Sequence, residues 1–128
     1  MKEPRWIARD EVTALHNLML SEYGGLEGVR DENMLESALA KPQHNFAYGK
    51  PNLSELAASY AAGVIKNHPF IDGNKRTGFM LAVGFLELNG QRFTGSEVDA
   101  VLRTLALAAG EMNEAAYAAW LKANSKRA

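Results

Sequence analysis

The sequence predicts an all-α fold, a compact bundle of about six helices around a central buried helix, with room for one small hairpin. Three observations lead there. Apolar residues recur at the i, i+3, i+4, i+7 spacing of a helix face almost throughout the chain. A capping residue stands before most of those stretches. No stretch alternates apolar and polar residues long enough to make a central strand.

Asp10 caps a first helix that runs to about Glu22, with Val12, Leu15, Leu18 and Met19 inward, and Tyr23-Gly24-Gly25 breaks it. Asp31 caps a short helix with Met34, Leu35, Ala38 and Leu39 on one face, and Pro42 ends it. Residues 43–51 hold Phe46 and Tyr48, with Gly49 and Pro51 as breakers, and read as an exposed loop or a short hairpin. Asn52 caps the clearest helix, on which Leu53, Leu56, Ala57, Tyr60, Ala61, Val64 and Ile65 follow the helical template. It stops near Asn67, because Pro69 disfavours helical geometry at His68. A loop from His68 to Gly73 leads into a helix that begins near Asn74 and ends at Asn89-Gly90. Phe79, Met80, Leu81, Ala82, Val83, Phe85 and Leu86 make it apolar on nearly every side, so it reads as the central one. Ser96 caps a helix carrying Val98, Val101, Leu102 and Leu105, which Gly110 breaks. Asn113 caps the last, with Ala116, Tyr117, Trp120 and Leu121 as its inward stripe, and residues 124–128 read as a solvated tail.

The 128 residues fit one domain, 1–128, long enough to bury a core without disulfides or structural metal. A formal net charge of −1 leaves no global field to hold nucleic acid or an acidic membrane surface, so direct nucleic-acid binding is not expected. There is no cysteine, which excludes thiol nucleophiles and zinc-thiolate sites and fits a reducing cytoplasm. Residues 1–10 contain acid, proline and arginine and no apolar core, so they do not read as a signal peptide. The longest apolar-rich stretch, Thr77 to Leu88, is too short for a membrane span and contains Glu87.

The chemistry concentrates in His68-Pro69-Phe70-Ile71-Asp72-Gly73-Asn74-Lys75-Arg76-Thr77. This segment joins one helix to the start of the next, where backbone N–H groups lack intrahelical partners and the helix dipole is positive. Such a start is a ready anion site, and phosphate is its usual occupant. Gly73 permits the close backbone approach that a phosphate nest needs. Asn74 can donate through its amide, and Lys75 and Arg76 add two cations. Cations at this end oppose the dipole, so a bound polyphosphate supplies their reason. Asp72 is a hard ligand suited to Mg²⁺ shared with phosphate oxygens. His68 can act as general base near neutral pH, taking the proton from an attacking hydroxyl. Each fragment alone has an ordinary reading: a structural histidine, an Asp-Gly turn, a solvated Lys-Arg pair. Ten consecutive residues in one ordered set are far more specific.

That segment resembles the signature of the Fic/Doc superfamily, H-P-F-x-(D/E)-G-N-G-R-x-x-R. The match runs from His68 through Asn74 and resumes at Arg76. Lys75 stands where Fic enzymes have glycine, and Phe79 where they have the second arginine. Lysine followed by Arg-Thr is the pattern of the Doc branch, H-x-F-x-D-(A/G)-N-K-R-T. Tyr23-Gly24-Gly25-Leu26 also resembles a segment that Doc proteins carry near their N-terminus. The resemblance implies a Fic/Doc-like helical bundle with ATP and Mg²⁺ as cofactors. It implies transfer of the γ-phosphate to a Thr or Ser hydroxyl of a target protein, with elongation factor Tu as the known target, where Fic proteins mostly transfer AMP. It also implies a toxin held inactive by a Phd-like antitoxin whose flexible segment folds onto it as a helix. Lysine for glycine fills space beside the phosphates, and the missing arginine removes a clamp used in AMP transfer, so phosphorylation is expected over adenylylation. The inhibitory pattern (S/T)-x-x-x-E-(G/N) of many Fic proteins is absent, so control is expected from another chain.

Lys66, two residues before His68, stands where Doc-like proteins can carry an arginine and can reach the phosphates or the target; as a solvated lysine it would simply suit the helix end. Phe46 and Tyr48 fall where the superfamily places its target-aligning flap, or else tuck under a loop. His16 reads as a solvated or capped helix-face residue, His44 carries no stronger signal of a role, and Trp6 and Trp120 read as edges of the core. The main hypothesis is therefore a phosphotransferase. Its competitors are an AMP transferase and a non-catalytic Fic-fold module that only binds a partner or nucleotide.

Overall fold

Helices form where apolar spacing meets a capping residue. The computed structural model describes residues 2–128; Met1, the first residue of the N-terminal stretch considered above, lies outside the described residues. The elements are α1 (Arg9–Tyr23), α2 (Glu32–Tyr48), α3 (Leu53–Asn67), α4 (Asn74–Leu88), β1 (Gln91–Phe93), α5 (Glu97–Ala109), α6 (Glu114–Ala123) and β2 (Ser125–Arg127). The all-α class holds. Asp31, Asn52, Ser96 and Asn113 each accept the N–H of Met34, Glu55, Asp99 and Ala116, as caps should. Asp10 does not cap: α1 starts one residue earlier, and Glu11 reaches back to the Ala8 N–H at 2.9 Å.

The central helix is α3 rather than α4. Every residue from Leu56 to Val64 is buried, Ser59 and Gly63 included. Its small residues, Ala57, Ala58, Ala61, Ala62 and Gly63, let neighbours close in on all sides. Large apolar side chains on α4 leave Phe79, Met80 and Val83 only partly covered. A Cβ on Gly63 would stand 3.2 Å from the Cα and Cβ of Ala38 on α2. One on Gly78 of α4 would stand 3.0 Å from Ile65 and 3.2 Å from the Ala61 carbonyl. These two close approaches fix α2 and α4 against α3, and so fix both ends of the loop from His68 to Gly73.

Several expectations need correction. Pro42 does not end α2, which continues to Tyr48. Proline forfeits one helical hydrogen bond. Here it is buried, and the turn beyond it is anchored by Asn45 Nδ2 on Ser59 Oγ (3.1 Å) and by Phe46 edge-on to Trp6 (5.7 Å). Phe46 and Tyr48 thus sit on a helix, and residues 43–51 contain no flap hairpin. The C-terminal tail is not solvated coil: β2 pairs antiparallel with β1, Gln91 opposite Arg127. Three-residue strands are too short to show alternation. On α1, Leu18 is half exposed, while His16 is buried beside Val12, Met19 and Leu20. On α5, Ala100, Thr104 and Leu107 turn inward, which leaves Val98, Val101, Leu102 and Leu105 exposed.

The two kinds of helical glycine should respond oppositely to substitution. Gly63→Val overpacks the contact with Ala38 and is expected to lower the unfolding free energy by about 1–3 kcal/mol. Gly84, inside α4, has nothing within 4 Å of an added Cβ. Gly84→Ala is expected to raise stability by about 0.5–1 kcal/mol. Urea denaturation reads both, and a Gly63→Val protein as stable as the parent would contradict the close α2–α3 approach.

Candidate functional site

The site is the chain's passage from α3 into α4. The α3 helix ends at Asn67, and His68 turns left-handed with φ 50° and ψ 52° while its N–H still bonds to the Val64 carbonyl. Among the described residues it is the one non-glycine with positive φ. That geometry costs an L-residue about 1–2 kcal/mol and must be held from outside. Arg30 does the holding: its Nε donates to the His68 carbonyl at 2.7 Å and its Nη2 to the Asn67 carbonyl at 2.9 Å. A cation there also suits the carbonyl-rich end of α3. The Arg30 and Asp31 N–H groups both donate to the Pro69 carbonyl, at 2.7 and 3.1 Å, and Ile71 N–H donates to the Gly28 carbonyl at 3.0 Å. Val29 and Phe70 bridge antiparallel between them. Residues 28–31 thus run beside Pro69–Ile71 as a short strand-like brace.

Asn74 closes the loop from within. Its Oδ1 accepts the Phe70 N–H at 3.0 Å and its Nδ2 donates to the Phe70 carbonyl at 2.9 Å. The side chain is buried, so its amide serves the loop rather than reaching out to a phosphate. What remains for an anion is its main-chain N–H. The first helical bond of α4 is from Thr77 N–H to the Gly73 carbonyl, and Gly73 offers no side-chain cap. The N–H groups of Asn74, Lys75 and Arg76 therefore stand without acceptors.

Asp72 is gripped at three points. Its Oδ1 accepts the Gly73 N–H (3.0 Å), its Oδ2 the Leu26 N–H (3.2 Å), and its carbonyl faces His16 Nε2 (2.8 Å). Gly25, at φ +126°, is what lets the carboxylate sit there: an added Cβ would stand 2.9 Å from Oδ2. Two residues further back, Tyr23 lies under the Arg76 guanidinium, 4.5 Å from ring centroid to Cζ, a cation–π contact. The Tyr-Gly-Gly-Leu segment is thus the other wall of the same site.

His68, Asp72, Lys75 and Arg76 are exposed around the half-buried Gly73. Lys66 is exposed on the last turn of α3, and Lys75 lines a shallow depression with Leu102 and Leu105 of α5. Ion pairs among the described residues join Arg9 to Glu32, Lys41 to Glu114 and Arg103 to Asp99. Lys75 and Arg76 have no carboxylate partner, and no acidic residue occupies the first turn of α4. Unpaired cations beside free N–H groups favour an anion of several charges. No group of three His, Asp or Glu among the described residues can cage a metal alone. A single exposed carboxylate beside a phosphate cradle nevertheless fits Mg²⁺, which is commonly held by one or two carboxylates plus substrate phosphates and water.

Sequence reasoning missed His16 and Arg30. His16 falls on the buried stripe with Val12, Met19 and Leu20, a spacing that signals a polar group in need of a partner. Nothing local marks Arg30, whose contacts are all made across the fold. Phe79 packs against Phe93 and Trp120, with ring centroids 5.5 and 6.3 Å away, so this position carries an aromatic side chain of the core edge and no cation.

The model of the Fic/DOC family matches residues 6–86. The chain is 35% identical over 119 residues to the protein kinase doc of Escherichia phage P1, spanning 92% of this chain and 94% of that protein. It is 41% identical over 71 residues to the toxin Doc of Mycolicibacterium smegmatis, about half of each chain at 53% and 54%.

Gly24 and Gly25 both have positive φ, but only Gly25 also faces Asp72. Gly25→Ala is therefore expected to displace the Asp72 carboxylate from the Leu26 N–H and to unfold at a lower midpoint than Gly24→Ala. Equal unfolding midpoints for the two variants would contradict the placement of Asp72.

Proposed function

The chain belongs to the Fic/DOC family, and on that premise we propose that it is an ATP-dependent protein phosphotransferase acting as the toxin of a toxin–antitoxin pair. The observation that carries this reading is the uncapped start of α4, with unpaired Lys75 and Arg76, directly after an exposed Asp72 and His68. The names of the relatives, a protein kinase and a toxin, support it. On this reading residues 1–128 make a single Fic/Doc domain.

The mechanism follows from the residues. The N–H groups at the start of α4, with Lys75 and Arg76, bind the phosphates of ATP, and Gly73 lets them approach the backbone. Lys66, a turn earlier, adds charge on the side where the target would arrive. Asp72 would hold Mg²⁺, which would supply neutralisation of charge on the phosphate oxygens. His68 removes the proton from a Thr or Ser hydroxyl of the target as that oxygen attacks the γ-phosphorus and the bond to ADP breaks. The left-handed turn at His68 projects it beyond the end of α3, on the same loop as Asp72. Transfer of phosphate rather than AMP is supported by Lys75 at the glycine position and by the core packing of Phe79.

Elongation factor Tu is the proposed target, and a Phd-like antitoxin the proposed partner, binding through a segment that folds into a helix. The exposed Val98, Val101, Leu102 and Leu105 on α5 supply apolar surface of the kind such folding requires. A cytoplasmic site of action follows from that target. No helix of the described residues is long and apolar enough to cross a membrane.

Incubating a cell lysate with the protein and ATP, then reading it by mass spectrometry, is expected to show one phosphate added to one protein. His68→Ala should lose ~10²–10⁴-fold in rate and keep its affinity for Mg·ATP. Addition of AMP would replace the phosphotransferase reading with an adenylylating one, and unchanged turnover in His68→Ala would remove the base.

Expression of the chain alone is expected to arrest growth and translation. Co-expression of the neighbouring reading frame should relieve the arrest, as should His68→Ala. Normal growth with the wild-type protein, in a host that has the target, would contradict the toxin role.

A further inference from the structure

We infer that His16 is a positioning residue for the metal-binding end of the site, acting through the main chain of Asp72 and not on the substrate. The inference rests on the phosphotransferase reading only for what Asp72 holds. His16 is 3% exposed, and its ring stacks on that of the buried Phe70, centroids 3.8 Å apart and planes 11° from parallel. Its Nε2 lies 2.8 Å from the Asp72 carbonyl oxygen. A carbonyl only accepts, so Nε2 carries the hydrogen and donates it.

The consequence lies on the other edge of the same peptide. There is no cis bond in the described chain, so the Asp72 C=O and the Gly73 N–H point in opposite directions. Holding the oxygen toward α1 aims the N–H away from α1, where Asp72 Oδ1 accepts it at 3.0 Å. The Leu26 N–H takes Oδ2. One of the two groups that orient the carboxylate is thus set by the plane that His16 holds.

That plane needs holding because of Gly73. Its φ of +79° is open to glycine, and a glycine at such a turn also lets the preceding peptide flip at little cost, as type I and type II turns interchange. A flip would turn the Asp72 oxygen toward the approaching phosphate, withdraw the Gly73 N–H from Oδ1 and release the carboxylate. The donor on His16 selects against it. A residue that merely filled the core would supply the ring and not the hydrogen. The alignment of Nε2 on the carbonyl, with the ring face given to Phe70, uses both properties of histidine.

The test separates ring from donor. His16→Phe keeps a ring for Phe70 and removes the donor; His16→Gln removes the ring and keeps an N–H of similar reach. Mg·ATP is titrated into each by calorimetry, and each is crystallised without nucleotide. His16→Phe is expected to bind Mg·ATP about tenfold more weakly, the loss of one hydrogen bond's worth of positioning, and His16→Gln to recover most of it. The nucleotide-free His16→Phe crystal should show the Asp72–Gly73 peptide flipped or in two orientations, and His16→Gln the wild-type one. Should His16→Phe fail to fold, His16→Met, flexible and without a donor, takes its place. A wild-type peptide orientation in the donorless variant overturns the inference, as does full affinity for Mg·ATP. Absence of Mg·ATP binding by the wild-type protein would instead remove the phosphotransferase reading, and the crystal comparison would still decide the role of His16.

Discussion

The structure depends on one constraint: the chain must leave α3 and enter α4 through an exposed loop while keeping that loop's peptide groups occupied away from the open start of α4. Six residues cannot do this by themselves. The Arg30 side chain closes the end of α3, the backbone of residues 28–31 takes the Pro69 carbonyl and the Ile71 N–H, and His16 takes the Asp72 carbonyl. Asn74 closes both peptide groups of Phe70. What is left unoccupied is the set useful to an anion, the N–H groups that open α4. A loop braced in this way can keep a histidine in left-handed geometry and two unpaired cations beside a helix start, arrangements that an unsupported loop would relax.

The brace also explains why the bundle is built as it is. The loop is only as rigid as the two helices that carry it, and Gly78 against Ile65 sets α4 close on α3. Burial of α3 on every side then fixes the frame in which the loop sits. The first helix contributes on two levels: Val12, Met19 and Leu20 pack inward, while His16 on the same stripe reaches the loop. Its C-terminal end supplies Tyr23 for Arg76 and the glycine that admits the Asp72 carboxylate. The motif segment and the Tyr-Gly-Gly segment, far apart in sequence, are one site.

Much of this was legible in the residues. Caps at Asp31, Asn52, Ser96 and Asn113 gave helix starts because the cap is a local interaction between a side chain and an N–H three residues on. The loop and the helix start it feeds were legible because proline and glycine act on the backbone locally, within ten residues. The errors fall where a distant contact overrides a local signal. Pro42 should stop a helix, but packing against Ser59 and Trp6 carries α2 past it. Large apolar side chains pointed to α4 as the centre, whereas the small ones of α3 decide which helix neighbours can surround. The amide of Asn74 looked available to a phosphate, and only the fold shows it spent on Phe70. Arg30 carries no local mark at all.

A loop braced in this way is formed before any ligand arrives. Native-state hydrogen exchange of the nucleotide-free protein tests it directly, at the amides of Arg30, Phe70 and Ile71, whose acceptors all lie across or within the loop. In a preformed loop these amides exchange together and are slowed ~10²-fold or more against unbonded amides, as part of one cooperative unit with α3 and α4. Exchange at the rate of an unbonded amide, with protection appearing only when Mg·ATP is added, would show that the ligand builds the loop, and would contradict it.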